Sequence, residues 1–206
     1  KTPFRAYLAS TAEERFSSLK RQIDLLWPDG FVQSAFSVKT NPRQEILHLN
    51  LQHGFLAEVI SPEEANWAIE NGYQPQGIIY NGPVCPAGVQ LRETGRLGTV
   101  FADSIEAFRT ICRHKAASVA GIRLRPPFVT SRFGVDVSSP EMFRELVEAV
   151  EQAPEDLPFG LSFHLQSSEI GRERWQALAF SALEFAVQIE QAAGKPVRFF
   201  DLGGGW

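Results

Sequence analysis

The chain has 206 residues, of which 44% are apolar and 21% charged, and a formal net charge of −4. This length and composition predict one globular domain with a sizeable core and argue against a disordered chain. The acidic net charge and the absence of a basic run argue against a nucleic acid as the main partner. No apolar run approaches the length of about 20 residues that spans a membrane. We therefore expect the main partner to be a small molecule.

The two cysteines, Cys85 and Cys112, lie far apart in the sequence and show no metal-ligand spacing. Neither a disulfide framework nor a metal site is therefore expected. Free cysteines are typical of a reducing compartment, which predicts a cytoplasmic protein.

In chain order, short and nearly continuous apolar runs alternate with helical stretches. Such runs are typical of parallel strands that are buried on both faces. The predicted strands are Ser34–Val38, Leu56–Ile60, Gly77–Tyr80, Thr99–Ala102, Ser118–Leu124, Phe159–Phe163 and Val197–Leu202.

Capping signals mark the helices between these runs. Predicted helix starts are Asn41 before Pro42, Ser61 before Pro62, Asp103 with Glu106 three residues later, and Ser139 before Pro140. Predicted stops are Gly54, Gly72 and Gly194. A first helix is predicted over Thr11–Trp27, and a long one between Gly171 and Ala193, with an apolar stripe at Trp175, Leu178, Ala182, Phe185 and Ile189.

Repeated strand–helix units leave two architectures open, an open doubly wound sheet and a closed (β/α)8 barrel. Polar residues that lie at or near the carboxyl ends of different strands decide between them: Lys39, Glu58, Arg123, His164 and Asp201. An open sheet gathers functional residues at one switch point, whereas a barrel brings every strand end to one mouth. We therefore predict the barrel.

Seven strands are predicted where a barrel has eight, so we expect an incomplete barrel and a chain that is part of a longer protein. The segment Phe4–Leu8 is a candidate for an additional strand, although its position before the first helix suggests a neighbouring layer or domain. Residues 126–139 contain two prolines and several small polar residues, and we predict a long loop at the mouth.

A lysine and a glycine run carry the main chemical signal. Lys39 closes the apolar run Phe36-Ser37-Val38, and Gly203-Gly204-Gly205 follows the last strand. A lysine at an apolar strand end can form a Schiff base, and an unobstructed glycine backbone can surround a phosphate, so the pair predicts pyridoxal 5'-phosphate as the cofactor. Taken singly, the lysine also suits a solvent-facing strand end and the glycines a plain turn.

Four more residues are predicted to lie at the same mouth. His164 ends a strand and is available to stack on a cofactor ring, while Ser167 after it is available to donate to a phosphate. Arg123 alternates with apolar neighbours on its strand, and Glu58 is a candidate partner for such an arginine. A structural histidine and a solvated glutamate are the alternatives for His164 and Glu58.

In order and spacing, these segments resemble the fold-type III pyridoxal-phosphate decarboxylases, which include the ornithine and diaminopimelate decarboxylases. The segments that carry the resemblance are Thr2-Pro3-Phe4, Phe36 to Pro42, Ala57 to Ser61, Ile78 to Pro83, Ala102 to Ser104, Ile122 to Leu124, Arg132 to Val135, Phe163 to Ser167 and Asp201 to Gly205. Alanine racemases share this type of barrel, but Thr40-Asn41-Pro42 does not match the run that follows their lysine.

The resemblance implies a role for each site residue. Lys39 would hold the cofactor as a Schiff base, and His164 would stack on its ring. Ser167 with Gly203, Gly204 and Gly205 would hold the phosphate, while Glu58 and Arg123 line the pocket. The implied reaction is decarboxylation of a basic or diamino acid.

The resemblance also implies what surrounds this chain. Residues 1–206 would be the cofactor-binding barrel domain, and a C-terminal β domain that completes the site across a homodimer interface would lie outside it. We therefore expect the 206-residue chain alone to be inactive. The chain departs from the family pattern at Cys85 and Gln166, which keeps a non-catalytic cofactor-binding relative open as an alternative. An amino-acid racemase on the same scaffold is a further alternative.

Overall fold

The computed structural model describes residues 8–84, 96–129, 131–164 and 171–204. The predicted additional strand at Phe4–Leu8 lies outside these ranges except for Leu8, which directly precedes the first helix. Within the described ranges, no helix combines the length and the apolar character needed to cross a bilayer.

Strands and helices alternate along the chain, as predicted. The helices are α1 (Ala9–Leu26), α2 (Gln44–Gln52), α3 (Pro62–Glu70), α4 (Ile105–His114), α5 (Pro140–Glu151) and α6 (Arg172–Ala193). The strands are β1 (Ala35–Ser37), β2 (Leu56–Val59), β3 (Ile78–Tyr80), β4 (Leu97–Ala102), β5 (Ala117–Arg125), β6 (Val135–Asp136), β7 (Phe159–Ser162) and β8 (Val197–Asp201). Short 3-10 turns follow β1 at Val38–Thr40 and precede β3 at Pro75–Gly77.

The order of the sheet confirms the barrel type. Strands pair in the sequence β1-β2-β3-β4-β5-β7-β8, and each pairing is parallel. A doubly wound sheet would reverse this order at a switch point, which the described strands do not do. The seven predicted strands are all present. An additional short strand, β6, lies within residues 126–139, which were predicted as a loop, and it pairs with β5.

Contacts between distant strands show how strongly the sheet curls. Phe101 on β4 and Phe199 on β8 have ring centroids 5.5 Å apart. Three strand spacings separate β4 from β8, about 14 Å in a flat sheet. The rings therefore meet inside a curled sheet, which makes them part of the barrel interior.

Two glycines make room for these rings. A Cβ on Gly121 would lie 2.5 Å from the Phe101 ring, and a Cβ on Gly160 would lie 2.2 Å from Cζ of Phe199. Because side chains on a strand alternate, the residues two positions further toward the mouth face the same interior. These residues are Asp103, Arg123, Ser162 and Asp201.

The outer faces of the strands pack against the helices. Ala57, Val59, Ile78 and Tyr80 are fully buried there, together with Leu47 of α2. On α6 the predicted stripe is confirmed at Leu178, Ala182 and Ile189, and Ala186 joins it. Trp175 and Phe185 are only partly buried.

Most predicted helix caps are confirmed. The Ser61 hydroxyl accepts the Glu64 N–H at 3.2 Å, and the Ser139 hydroxyl accepts the Met142 N–H at 3.4 Å. Gly54, Gly72 and Gly194 have φ of +74°, +97° and +64°, the left-handed backbone that ends a helix most easily with glycine.

Two predicted caps are wrong by one or two residues. Helix α2 begins after Arg43, because the Asn41 side chain accepts the Arg43 N–H at 3.4 Å and forms a local turn instead. Helix α4 is capped by Ser104, whose hydroxyl accepts the Ala107 N–H at 3.2 Å. Asp103, the predicted cap, is left to face the mouth.

Candidate active site

The predicted site residues within the described ranges lie at one end of the barrel. Lys39 is in the turn after β1, Glu58 is on β2, Arg123 is on β5, His164 follows β7, and Gly203 and Gly204 follow β8. Ser167 and Gly205 lie outside the described residues, as do Cys85 and Gln166, where the chain departs from the family pattern.

Lys39 lies beside Glu58. Its Nζ is 3.9 Å from Glu58 Oε1, and its side chain is 40% exposed. The sequence predicted Lys39 as the end of a strand, whereas it lies in a 3-10 turn in which Thr40 Oγ1 donates to the Ser37 carbonyl at 2.7 Å. Trp67 Nε1 donates to the Pro42 carbonyl at 2.8 Å, which attaches the end of this segment to α3. The amine is thus reachable from solvent while its backbone is held.

Arg123 is the central cation of the mouth. Burial lowers the pKa of its guanidinium, while the charges of Asp103, Asp201 and Glu58 raise it. These three carboxylates come from β2 and from the ends of β4 and β8. Of these, Asp103 has Oδ1 4.0 Å from Arg123 Nη1.

The surroundings of His164 favour its uncharged form. Burial lowers the pKa of its imidazole, and the positive charges of Arg123 and Lys39 lower it further. Gly203 packs directly against it, since a Cβ at Gly203 would lie 2.7 Å from His164 Nδ1. The glycine also has a φ of +71°, so both space and backbone conformation favour glycine here.

Asp201 connects the glycine turn to Asn81, which follows β3 on another part of the mouth. Its Oδ1 accepts the Gly203 N–H at 2.8 Å, and its Oδ2 accepts from Asn81 Nδ2 at 3.5 Å. Burial raises the pKa of Asp201 to about 6, and the negative charge of Glu58 also raises it. Four strand spacings, about 19 Å in a flat sheet, separate β3 from β8, so the contact with Asn81 also depends on the curl.

Sequence analysis did not predict two residues of this mouth, Asn81 and Asp103. Asn81 follows the short apolar run of β3, and Asp103 follows β4, so each is the first polar residue after a buried strand. That position was the available signal. For Asp103, the sequence also predicts a helix cap, and this second signal competes with the first.

Asp201 leads to a prediction about pH. A carboxyl group whose pKa rises on folding contributes stability below its ordinary pKa of 3.8, and this contribution is lost as the pH rises through about 6. Asp201→Asn removes the titrating carboxyl group, so the variant does not lose this stability as the pH rises. We expect the free energy of unfolding of the cofactor-free variant, relative to wild type, to increase by about 2 kcal/mol between pH 4.5 and pH 7.5, measured by urea denaturation.

Asp136→Asn is the matched control for that experiment. Hydrogen bonds from Ser138 and Arg125 lower the pKa of Asp136, so this variant gains no stability over the same pH range. Equal responses of the two variants would contradict the buried, raised carboxyl group at Asp201.

The described residues fit pyridoxal phosphate. They offer a reachable amine at Lys39 and an uncharged aromatic ring at His164. Apart from its chain neighbours, no atom of the described residues would lie within 4 Å of a Cβ at Gly204, so this backbone has space beside it that a ligand can occupy. The hydroxyl of fully buried Ser162, between Arg123 and Asp201 in the sheet, has no hydrogen-bond partner in the described structure and is available to a polar atom.

A family model and a curated relative match this chain. The family model described as "Pyridoxal-dependent decarboxylase, pyridoxal binding domain" matches residues 10–206. A diaminopimelate decarboxylase from Zymomonas mobilis is 26% identical over 223 residues, covering 99% of this chain and 51% of that protein.

Two solved structures share the fold. Diaminopimelate decarboxylase from Helicobacter pylori in complex with L-lysine has a TM-score of 0.74 at 20% identity, over 100% of this chain and 54% of that one. Lysine/ornithine decarboxylase from Vibrio vulnificus in complex with putrescine has a TM-score of 0.77 at 16% identity, over 96% and 51%. The chain therefore spans about half the length of the relatives it matches.

Proposed function

Because this chain belongs to the family of pyridoxal-dependent decarboxylases, whose pyridoxal-binding domain it matches, we propose that the full-length protein decarboxylates a basic or diamino acid at the mouth of this barrel. The observation that carries the proposal is the meeting of Lys39, Glu58, Arg123 and His164 beside the glycine turn. The family cofactor is pyridoxal phosphate, which supplies an electron sink for the electron pair left when the carboxylate departs as carbon dioxide.

Lys39 is the residue that we propose to bind the cofactor covalently through Nζ. An amine bound in this way has to be released when the substrate amine takes its place, and it then needs a partner. Glu58 Oε1 at 3.9 Å is within reach of the released ammonium group. We propose that this glutamate orients the lysine before and after release.

His164 and the glycine turn would hold the rest of the cofactor. The uncharged imidazole presents an aromatic face without adding a third positive charge to the mouth. The Gly203 N–H already donates to Asp201, so among the described glycines Gly204 is the one that we propose as a backbone donor to the phosphate. The predicted contributions of Ser167 and Gly205 stay predictions.

The substrate class rests on the relatives. The curated relative is a diaminopimelate decarboxylase, and the Vibrio vulnificus structure contains putrescine, a diamine. We propose that the full-length protein acts as a cytoplasmic homodimer with a further β domain. The match to a decarboxylase family favours this reaction over the racemase alternative.

The test is carbon dioxide release by the full-length protein with added pyridoxal phosphate. We expect turnover of at least one of meso-diaminopimelate, L-lysine, L-ornithine and L-arginine, and none of L-alanine or L-glutamate, which serve as controls. Cofactor binding without release from any of these acids would identify a non-catalytic relative. Racemisation of the same acids would identify a racemase.

A further inference from the structure

Asp103 occupies the mouth without a role in any helix cap, because Ser104 caps α4. We propose that Asp103 is a positioning residue that holds Arg123 in the mouth and connects it to the loop between β5 and α5. This inference rests on the proposed function, since Arg123 is one of the residues assigned to the cofactor pocket.

One carboxylate oxygen of Asp103 lies close to both Gly134 and Arg123. Oδ1 accepts the Gly134 N–H at 2.9 Å and lies 4.0 Å from Arg123 Nη1. The two side chains are only 20% and 14% exposed, so water screens this pair less than a pair on the surface. A charged acceptor that also binds a loop amide has little freedom to move away from the guanidinium.

The same loop also contacts Arg123 directly. The guanidinium carbon lies 5.3 Å from the centroid of the Phe133 ring, a cation–π distance. Gly134 has a φ of +88°, and a Cβ there would lie 3.3 Å from Arg123 Cγ, so the loop backbone packs along the arginine stem. Arg123 therefore lies close to both a carboxylate and an aromatic ring.

The position of Arg123 matters to the rest of the mouth. Its charge contributes to the lowered pKa of His164 and opposes the raised pKa of Asp201. An arginine free to turn toward solvent would weaken both effects. Asp103 thus acts on the cofactor pocket through Arg123 rather than by touching the cofactor.

A neighbouring pair on the same loop provides a matched control. Arg125 Nη2 lies 2.9 Å from Asp136 Oδ2, and Arg125 Nη1 donates to the Ser131 carbonyl at 2.6 Å. This pair also joins β5 to the loop, at a shorter distance than the Asp103–Arg123 pair. Neither Arg125 nor Asp136 is among the charges that shift the pKa values of His164 or Asp201.

The test compares Asp103→Asn with Asp136→Asn in the full-length protein. Asparagine at position 103 keeps an acceptor for the Gly134 N–H and removes the charge. We expect the dissociation constant of pyridoxal phosphate to rise about fivefold for Asp103→Asn and less than about twofold for Asp136→Asn. In an Arg123→Ala background, Asp103→Asn should add less than about twofold.

Two results would overturn the proposal. Equal effects of the two asparagine variants would make Asp103 an ordinary structural contact, and a full fivefold effect in the Arg123→Ala background would show that it does not act through Arg123. A second measurement needs no cofactor. The side-chain nitrogen signals of Arg123 in NMR should show faster guanidinium rotation in Asp103→Asn than in wild type or Asp136→Asn.

The two measurements separate the two hypotheses. Failure of the wild-type protein to bind pyridoxal phosphate would refute the proposed function. The NMR comparison would still decide the role of Asp103, since unchanged Arg123 rotation in Asp103→Asn would refute it.

Discussion

Replacing Lys39 by alanine in the full-length protein is expected to abolish covalent attachment of pyridoxal phosphate and to lower the decarboxylation rate by at least about a thousandfold. Among the lysines that the structure describes, Lys39 alone lies in the mouth of the barrel. Its side chain is reachable, and Glu58 lies 3.9 Å away. Lys39→Arg should fail equally, because a guanidinium keeps the charge but does not form the bond.

The measurement is borohydride reduction of the loaded protein, followed by peptide mass mapping. The pyridoxyl label should lie on Lys39. Lys195→Ala is the matched control, because Lys195 is occupied by a hydrogen bond to the Ala153 carbonyl away from the mouth and should retain full labelling and rate. A label on Lys1, Lys20, Lys115 or Lys195 in the wild-type protein would show that the site has been assigned to the wrong residue.

The strands were predictable because their signal is local. In a parallel sheet covered by helices, both faces of a central strand are buried, so an apolar run such as Phe159–Ser162 stands out without knowledge of its neighbours. The glycine stops at Gly54, Gly72 and Gly194 depend equally on local backbone conformation. These features needed no tertiary contact to be recognised.

The errors occur where two local solutions compete. Asp103 and Ser104 are both good caps, and the choice of Ser104 depends on Gly134, 31 residues further on, which takes the Asp103 carboxylate. Likewise the side chain of Asn41 forms its own turn with Arg43, and the helix starts later. For Asp103, the local sequence pattern does not contain the distant partner that decides the competition.

The carboxyl ends of the strands were predictable as a group, but their individual contacts were not. Asn81 and Asp201 are 120 residues apart and meet only because the sheet curls. The extent of that curl depends on which side chains fill the interior. Here Gly121 and Gly160 leave space for Phe101 and Phe199, a match between strands that no single strand reveals.

This interior fit leads to the second large effect. Gly160→Ala is expected to lower the free energy of unfolding by about 3 kcal/mol, because its Cβ would lie 2.2 to 2.5 Å from three carbons of the Phe199 ring. Moving the ring away would disturb its contact with Phe101, whose ring centroid lies 5.5 Å away. Gly171→Ala is the control, since a Cβ there meets no atom within 4 Å and should cost less than about 1 kcal/mol. Chemical denaturation of the two variants measures the difference.

A second substitution tests whether the ring itself causes the loss. Phe199→Leu in the Gly160→Ala background removes the ring carbons closest to the new methyl group, so the double variant should recover at least about 1 kcal/mol relative to Gly160→Ala. In the wild-type background the same Phe199→Leu change should destabilise, since it removes the contact with Phe101 and leaves unfilled volume beside Gly160. A change of sign between the two backgrounds is the signature of direct packing between positions 160 and 199. Additive effects would mean that the glycine is needed for another reason, and the interior fit between β7 and β8 would no longer explain the curl that brings Asp201 to Asn81.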